Sequence, residues 1–190
     1  MQLDRDVNYI VSGLERSGTS MLMQILVGGD IPTLFDDSRK ADKDNPKGYY
    51  ELKGGKIINS VIEGKFPFDE HKGKFVKITA YGLRYLPRGN YKIIYTERNI
   101  DEVLDSMEAM MGKKDGNREK TRQSFLGLNE IVKRFIQDRD DLSACFVNYN
   151  DILSRPRDNI KRIIDFLGIS DEKLEDMVSI VDNRLYRKRR

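Results

Sequence analysis

The chain has 190 residues, a length that suits one domain with its own core. Its 34 basic and 31 acidic side chains leave a net charge of +3, too balanced to mark nucleic acid as the main partner; a single cysteine, Cys145, excludes an intrachain disulfide and a cysteine-built metal site. No stretch reaches the roughly 18 continuous apolar residues of a membrane span, and the polar start Met1 to Asp6 lacks the apolar centre of a secretion signal, so the expected location is the cytoplasm.

Val7 to Val11 is short and mostly apolar, the pattern of a central strand buried on both faces. It runs into Gly13-Leu14-Glu15-Arg16-Ser17-Gly18-Thr19-Ser20 and then into Met21, Leu22, Ile25 and Leu26 at helical spacing, which stop at Gly28-Gly29. A glycine-bracketed turn between a strand and a helix aims backbone N–H groups and the positive end of the helix dipole at an anion, and Thr19 and Ser20 add hydroxyls. The spacing follows the phosphate-loop frame G-x-x-x-x-G-K-[ST] at both glycines and at the last hydroxyl, but Thr19 stands where that frame has lysine. The cation is Arg16 instead, inside the loop, where a guanidinium can fork onto phosphate or sulfate oxygens.

Asp30 to Tyr50 loses all periodicity and ends in the turn residues Asn45-Pro46-Lys47-Gly48, so it reads as a long loop, either a binding segment or a solvated one. A helix is expected from Tyr50 to about Ile62. The sole histidine, His71, lies between Glu70 and Lys72 in the polar connection 64–73 and reads as a surface residue rather than a catalytic base. Phe75 to Thr79 is a strand candidate carrying Lys77, which must either snorkel to water or face an anion. Tyr91 to Thr96 is the clearest strand, and it delivers Glu97-Arg98-Asn99 to the sheet edge where ligands gather.

Asn99 can cap the next helix with Glu102 three residues on, and Ile100, Val103, Leu104 and Met107 form its apolar stripe. Ser106 lies on it eight residues after Arg98. A turn at 112–116 precedes a long helix, Arg118 to Asp138; then come a strand, Ala144 to Val147, the segment Tyr149-Asn150-Asp151-Ile152-Leu153, and two amphipathic helices centred on Ile160, Ile163, Ile164 and on Leu174, Met177, Val178. Strands alternating with helices behind a phosphate loop predict a single domain, 1–190, with a three-layer α/β fold and a mainly parallel sheet.

Several of these segments share a resemblance. Gly13-x-x-Arg16-Ser17-Gly18-Thr19-Ser20 resembles the 5'-phosphosulfate loop of the sulfotransferases that use 3'-phosphoadenosine 5'-phosphosulfate (PAPS), and its arginine form is most similar to tyrosylprotein sulfotransferases and to short bacterial and archaeal sulfotransferase-like proteins. Arg98 with Ser106 resembles the family's 3'-phosphate motif, residues 44–51 resemble a stretch of the short prokaryotic proteins, and Tyr149 to Pro156 resembles the family's Tyr-Glu-Asp-Leu segment followed by proline. The resemblance implies a P-loop nucleotide-kinase-like fold, PAPS as donor, no metal, and an unknown acceptor hydroxyl or amine.

By the same resemblance, Arg16, Ser17, Gly18, Thr19, Ser20, Arg98, Ser106 and Tyr149 would bind the donor, and Arg16 and Lys77 would stabilise the departing phosphate. Aligned on Lys77, the catalytic histidine of the cytosolic enzymes falls on Thr79, so the base must be another group. The tyrosylprotein interval from Arg16 lands on Asp37, which makes Asp37 the first candidate base, with Asp36 and Glu51 behind it; an exposed acidic pair is the plainer reading. The basic tail, with Arg187 and Lys188, either folds back onto the 3'-phosphate or stays free. Two rivals remain: a phosphotransferase, with Glu97 as its one modest metal carboxylate, and a non-catalytic nucleotide-binding module.

Overall fold

The computed structural model describes residues 3–182. Five strands, β1 (Asn8–Gly13), β2 (Thr33–Leu34), β3 (Phe75–Lys77), β4 (Tyr91–Glu97) and β5 (Leu142–Asn148), form one sheet in the order β2-β3-β1-β4-β5, with every neighbouring pair parallel. The α/β architecture and parallel sheet expected from the alternation are therefore present. β1 lies at the centre and all of its residues are buried.

Neighbouring residues on each central strand serve opposite layers. Val11 and Ile94 pack beneath α1 (Thr19–Gly28), α7 (Pro156–Leu167) and α8 (Leu174–Ser179), against Leu22, Ile25, Ile160, Ile164 and Met177. Ile10 and Ile93 face the other way, into a layer built from α2 (Ile57–Ile62), α3 (Ala80–Leu83) and α5 (Arg118–Gln137), with Val61, Leu83, Val132 and Ile136. Strands buried on both faces carry continuous apolar runs, which is why Tyr91 to Tyr95 reads so clearly. Three further helices, α4 (Ile100–Met111), α6 (Tyr149–Ser154) and a 3₁₀ turn at Asp171–Lys173, complete the second half.

The register matters for the site. Val11 pairs with Lys77 on one side and Ile94 on the other, and Gly13 pairs with Thr96, so the phosphate loop, Lys77 and Arg98 leave the sheet at the same edge.

Three expectations need correction. The helix expected over 50–62 is broken: Leu52–Gly55 is a 3₁₀ turn in which Lys53, Gly54 and Gly55 all have positive φ (49°, 60° and 84°), and only Ile57–Ile62 is α-helical. A run of left-handed residues cannot continue a right-handed helix. The strand expected over 75–79 ends at Lys77, and one helical turn, α3, starts three residues later. The loop from Asp30 contains β2, an edge strand too short to show an alternation.

Candidate active site

The loop between β1 and α1 is shaped by contacts that forbid side chains at its two glycines. A Cβ on Gly13 would lie 2.5 Å from the Thr96 carbonyl oxygen and from Ser17 Oγ, and one on Gly18 would lie 2.3 Å from the Tyr149 ring. Gly18 also has φ 107°, and Arg16 takes a left-handed φ of 64°, which turns the loop so that its guanidinium projects across the opening. Ser17 braces the loop: its Oγ and its N–H both donate to the Leu14 carbonyl (2.7 and 3.2 Å), and its own carbonyl accepts from Thr96 Oγ1 at 3.1 Å. α1 then starts at Gly18 without a side-chain cap and without an acidic residue in its first turn, so no carboxylate neutralises its positive end.

This helix start opens into a cleft of about 690 Å³ lined by Arg16, Gly18, Thr19, Ser20, Lys77, Arg98, Ser106 and Tyr149. Residues expected to act together from five separate segments are thus brought to one cavity. Arg16 Nε donates to Ser106 Oγ at 3.0 Å, and Arg98 NH1 donates to the Arg16 carbonyl at 3.1 Å, which ties the loop to the start and middle of α4. Arg98 also lies 4.4 Å above the Tyr149 ring. Burial pushes the Tyr149 phenol above its usual range, with the Arg98 guanidinium pulling the other way.

Arg98 is ion-paired as well as stacked. Its Nε meets Glu102 Oε2 at 2.9 Å, and Glu102, 0% exposed, also accepts from Asn150 Nδ2 at 3.1 Å. Asn99 caps α4 by accepting from the N–H groups of Asp101 (2.9 Å) and Glu102 (3.4 Å). Glu97 turns to Lys133 at 2.7 Å and does not line the cleft.

Lys77 occupies the opposite wall. Its Nζ lies 3.0 Å from Glu51 Oε2 and 3.3 Å from Ser20 Oγ, and it donates to the Tyr49 carbonyl. Burial holds the Lys77 ammonium below its usual range; Glu51 opposes that shift, and Arg39 and Arg16 add to it. Glu51 Oε1 meets Arg39 NH1 at 3.0 Å, and the Arg39 guanidinium lies 3.4 Å above the Tyr49 ring.

The acids expected to supply a base separate sharply. Asp37 is exposed and is not among the residues that line the cleft. Asp36 is a loop clasp, accepting from the N–H groups of Ser38 and Lys53 at 2.8 Å each; the Ser38 hydroxyl first, and then those two N–H groups, hold its carboxyl below the usual range. Glu51 is 8% exposed and lines the cleft. His71 is half-buried beside Phe66, away from the cleft, in keeping with its reading as a non-catalytic residue. Arg187 and Lys188 lie outside the described residues. Sequence reasoning missed Arg39 and Tyr49, and no periodicity or spacing marks either one.

A phosphate loop at the edge of a parallel sheet, facing an arginine–serine pair, defines a P-loop transferase. The family model described as sulfotransferase domain matches residues 6–187, and the chain belongs to the sulfotransferase family. No curated protein matches the chain. Solved structures with the same fold include retinol dehydratase in complex with androsterone and the inactive cofactor PAP (18% identity, 98% of this chain and 67% of that one, TM-score 0.52). Two more are mouse sulfotransferase SULT7A1 complexed with PAP (14%, 100% and 68%, 0.54) and the sulfotransferase domain of the Synechococcus PCC 7002 olefin synthase (16%, 98% and 86%, 0.52). Among the described residues no helix is long and apolar enough to cross a membrane.

Proposed function

We propose that a single domain spanning 1–190 binds PAPS in this cleft and transfers its sulfuryl group to a hydroxyl or amine of an acceptor, without a metal. The observation that carries the reading is the convergence of Arg16, Lys77 and Arg98, from one loop and two strand ends, around an uncapped helix N-terminus. The donor set fits a bisphosphorylated nucleotide, since it offers cations and hydroxyls in two groups, Lys77 with Thr19 and Ser20 on one side and Arg98 with Ser106 on the other, and Arg16 between them.

The donor supplies an activated sulfuryl group and a stable leaving bisphosphate. The N–H groups at Gly18 to Ser20, with Arg16, Thr19 and Lys77, hold the 5' side, where negative charge grows as the bond to sulfur breaks; contacts that strengthen with that charge accelerate the step. Arg98 and Ser106 hold the 3'-phosphate, the group that distinguishes PAPS from ATP-like donors. The Tyr149 ring beneath Arg98 keeps that guanidinium in plane. A phosphotransferase reading is the weaker one, because its carboxylate, Glu97, is drawn to Lys133 instead.

The test is calorimetry with adenosine 3',5'-bisphosphate (PAP), ADP and ATP, without magnesium, on the native chain and on Arg98→Ala. Selective binding of PAP, weakened about 10- to 100-fold by the substitution, is expected, as for loss of a charge-assisted phosphate contact. Equal or tighter binding of ATP that depends on magnesium overturns the proposal.

A further inference from the structure

The acceptor's proton needs a destination, and of the acids that line the cleft, Glu15, Asp44, Glu51 and Asp182, Glu51 is the buried one. Its two oxygens are held differently. Oε1 is fixed by Arg39, itself stacked on Tyr49, whereas Oε2 is taken by Lys77, whose Nζ also reaches Ser20 Oγ on the first turn of α1. Lys77 thus stands between a carboxylate and the helix start that would receive the donor's 5' end. Gly55 keeps one side of the carboxylate clear: a Cβ there would sit 3.5 Å from the carboxyl carbon and from both oxygens, and the φ of 84° suits glycine.

Resting on the donor reading above, we propose that Lys77 moves from Glu51 to the donor's 5'-phosphate when the donor binds, and that this frees Glu51 Oε2 to take the proton of the acceptor hydroxyl. In the step that follows, the acceptor oxygen bonds to sulfur, the bond from sulfur to the bridging phosphate oxygen breaks, and the bisphosphate leaves with that electron pair. The hydroxyl proton passes to Oε2 and from there to solvent. Arg39 is a positioning residue, since it anchors Oε1 while Oε2 changes partner. The order of events has a use: the base is exposed only after the donor is in place.

PAP itself is the probe, so no acceptor need be known. In calorimetry Glu51→Gln is expected to tighten PAP binding about tenfold, because a competing anion no longer holds Lys77, and Lys77→Met is expected to weaken it. In the double variant Lys77→Met/Glu51→Gln the glutamate substitution should have no further effect. An unchanged affinity in Glu51→Gln, or the same tightening with Lys77 absent, overturns the exchange. Hydrolysis of PAPS, with water as acceptor, tests the proton role: Glu51→Gln should lower kcat by about 10²-fold or more and abolish the acidic limb of the pH profile, and a limb that persists overturns it. Failure of the native chain to bind PAP at all is a separate result, which removes the donor reading and this inference with it.

Discussion

The cleft has two walls, each built on a buried ion pair. On one, Arg98 and Glu102 are 8% and 1% exposed; on the other, Lys77 and Glu51 are 8% and 10% exposed. Burial alone does not separate them, but their surroundings do. Arg98 and Glu102 lie at the start of one helix, and Asn150 adds a further bond to the carboxylate. Lys77 and Glu51 join a strand end to an irregular loop, and Lys77 also bonds to Ser20 and to the Tyr49 carbonyl. On both walls the cation meets further acceptors, the Arg16 carbonyl for Arg98 and Ser20 and the Tyr49 carbonyl for Lys77; what differs is the carboxylate's setting, the first turn of a long helix for Glu102 and an irregular segment for Glu51.

The fixed pair should therefore fail hardest when broken. Glu102→Ala leaves the Arg98 guanidinium buried without its carboxylate, which costs about 3–5 kcal/mol, and thermal unfolding should show a fall in Tm on the order of 10 °C. A fall of a degree or two would mean that Arg98 finds solvent or another acceptor, and the contrast between the walls would collapse. Gly18→Ala comes next. It forces an L-residue to φ 107° and drives a methyl against the Tyr149 ring. A cost of about 3 kcal/mol follows from strain and overpacking together, together with loss of PAP binding in calorimetry as the loop shifts.

Lys77→Met sharpens the comparison from the other side. Burial lowers the Lys77 pKa in the folded state, so over the interval between that lowered value and the ordinary lysine range the unfolded chain binds more protons than the folded one. Stability from this group therefore rises with pH through that interval: the burial penalty is complete below the folded pKa and gone above the unfolded one. Methionine removes the penalty at every pH. It also leaves Glu51 with Arg39 as its remaining cation, so denaturant titrations should show a smaller gain in stability toward alkaline pH than in the native chain and, at neutral pH, a loss well below that of Glu102→Ala. A large loss of stability in Lys77→Met would place this lysine with the structural pairs.

Much of the first wall was legible from local pattern. The phosphate loop, the strand Tyr91–Glu97 and the Asn99 cap are all short-range features, and a parallel sheet carries their strand ends to one edge. The ion pair of Arg98 is set by tertiary packing: Glu102, four residues on, is drawn inward with Asn150, and charge spacing alone does not mark it. The second wall was barely legible. Three consecutive positive φ values at Lys53 to Gly55 redirect a segment whose apolar spacing looks helical, and the junction of Glu51 with Lys77 and Arg39 is a product of that redirection. Long-range ion pairs leave no period in a sequence.

The smallest expected effect is the most direct test of how far family spacing can be trusted in this loop. Counting from Arg16 selects Asp37, but the count assumes a loop of fixed length and course, and here the chain passes through β2 and the Asp36 clasp before it lines the cleft at Arg39, from Asp44 to Lys47 and at Tyr49. Asp37 is exposed and does not line the cleft. Asp37→Asn should leave Tm, PAP affinity and the pH profile of PAPS hydrolysis indistinguishable from those of the native chain. A loss of the acidic limb in that variant alone, with Glu51→Gln unaffected, would move the base back to the position the interval selects and would require the segment around Asp37 to swing into the cleft during turnover.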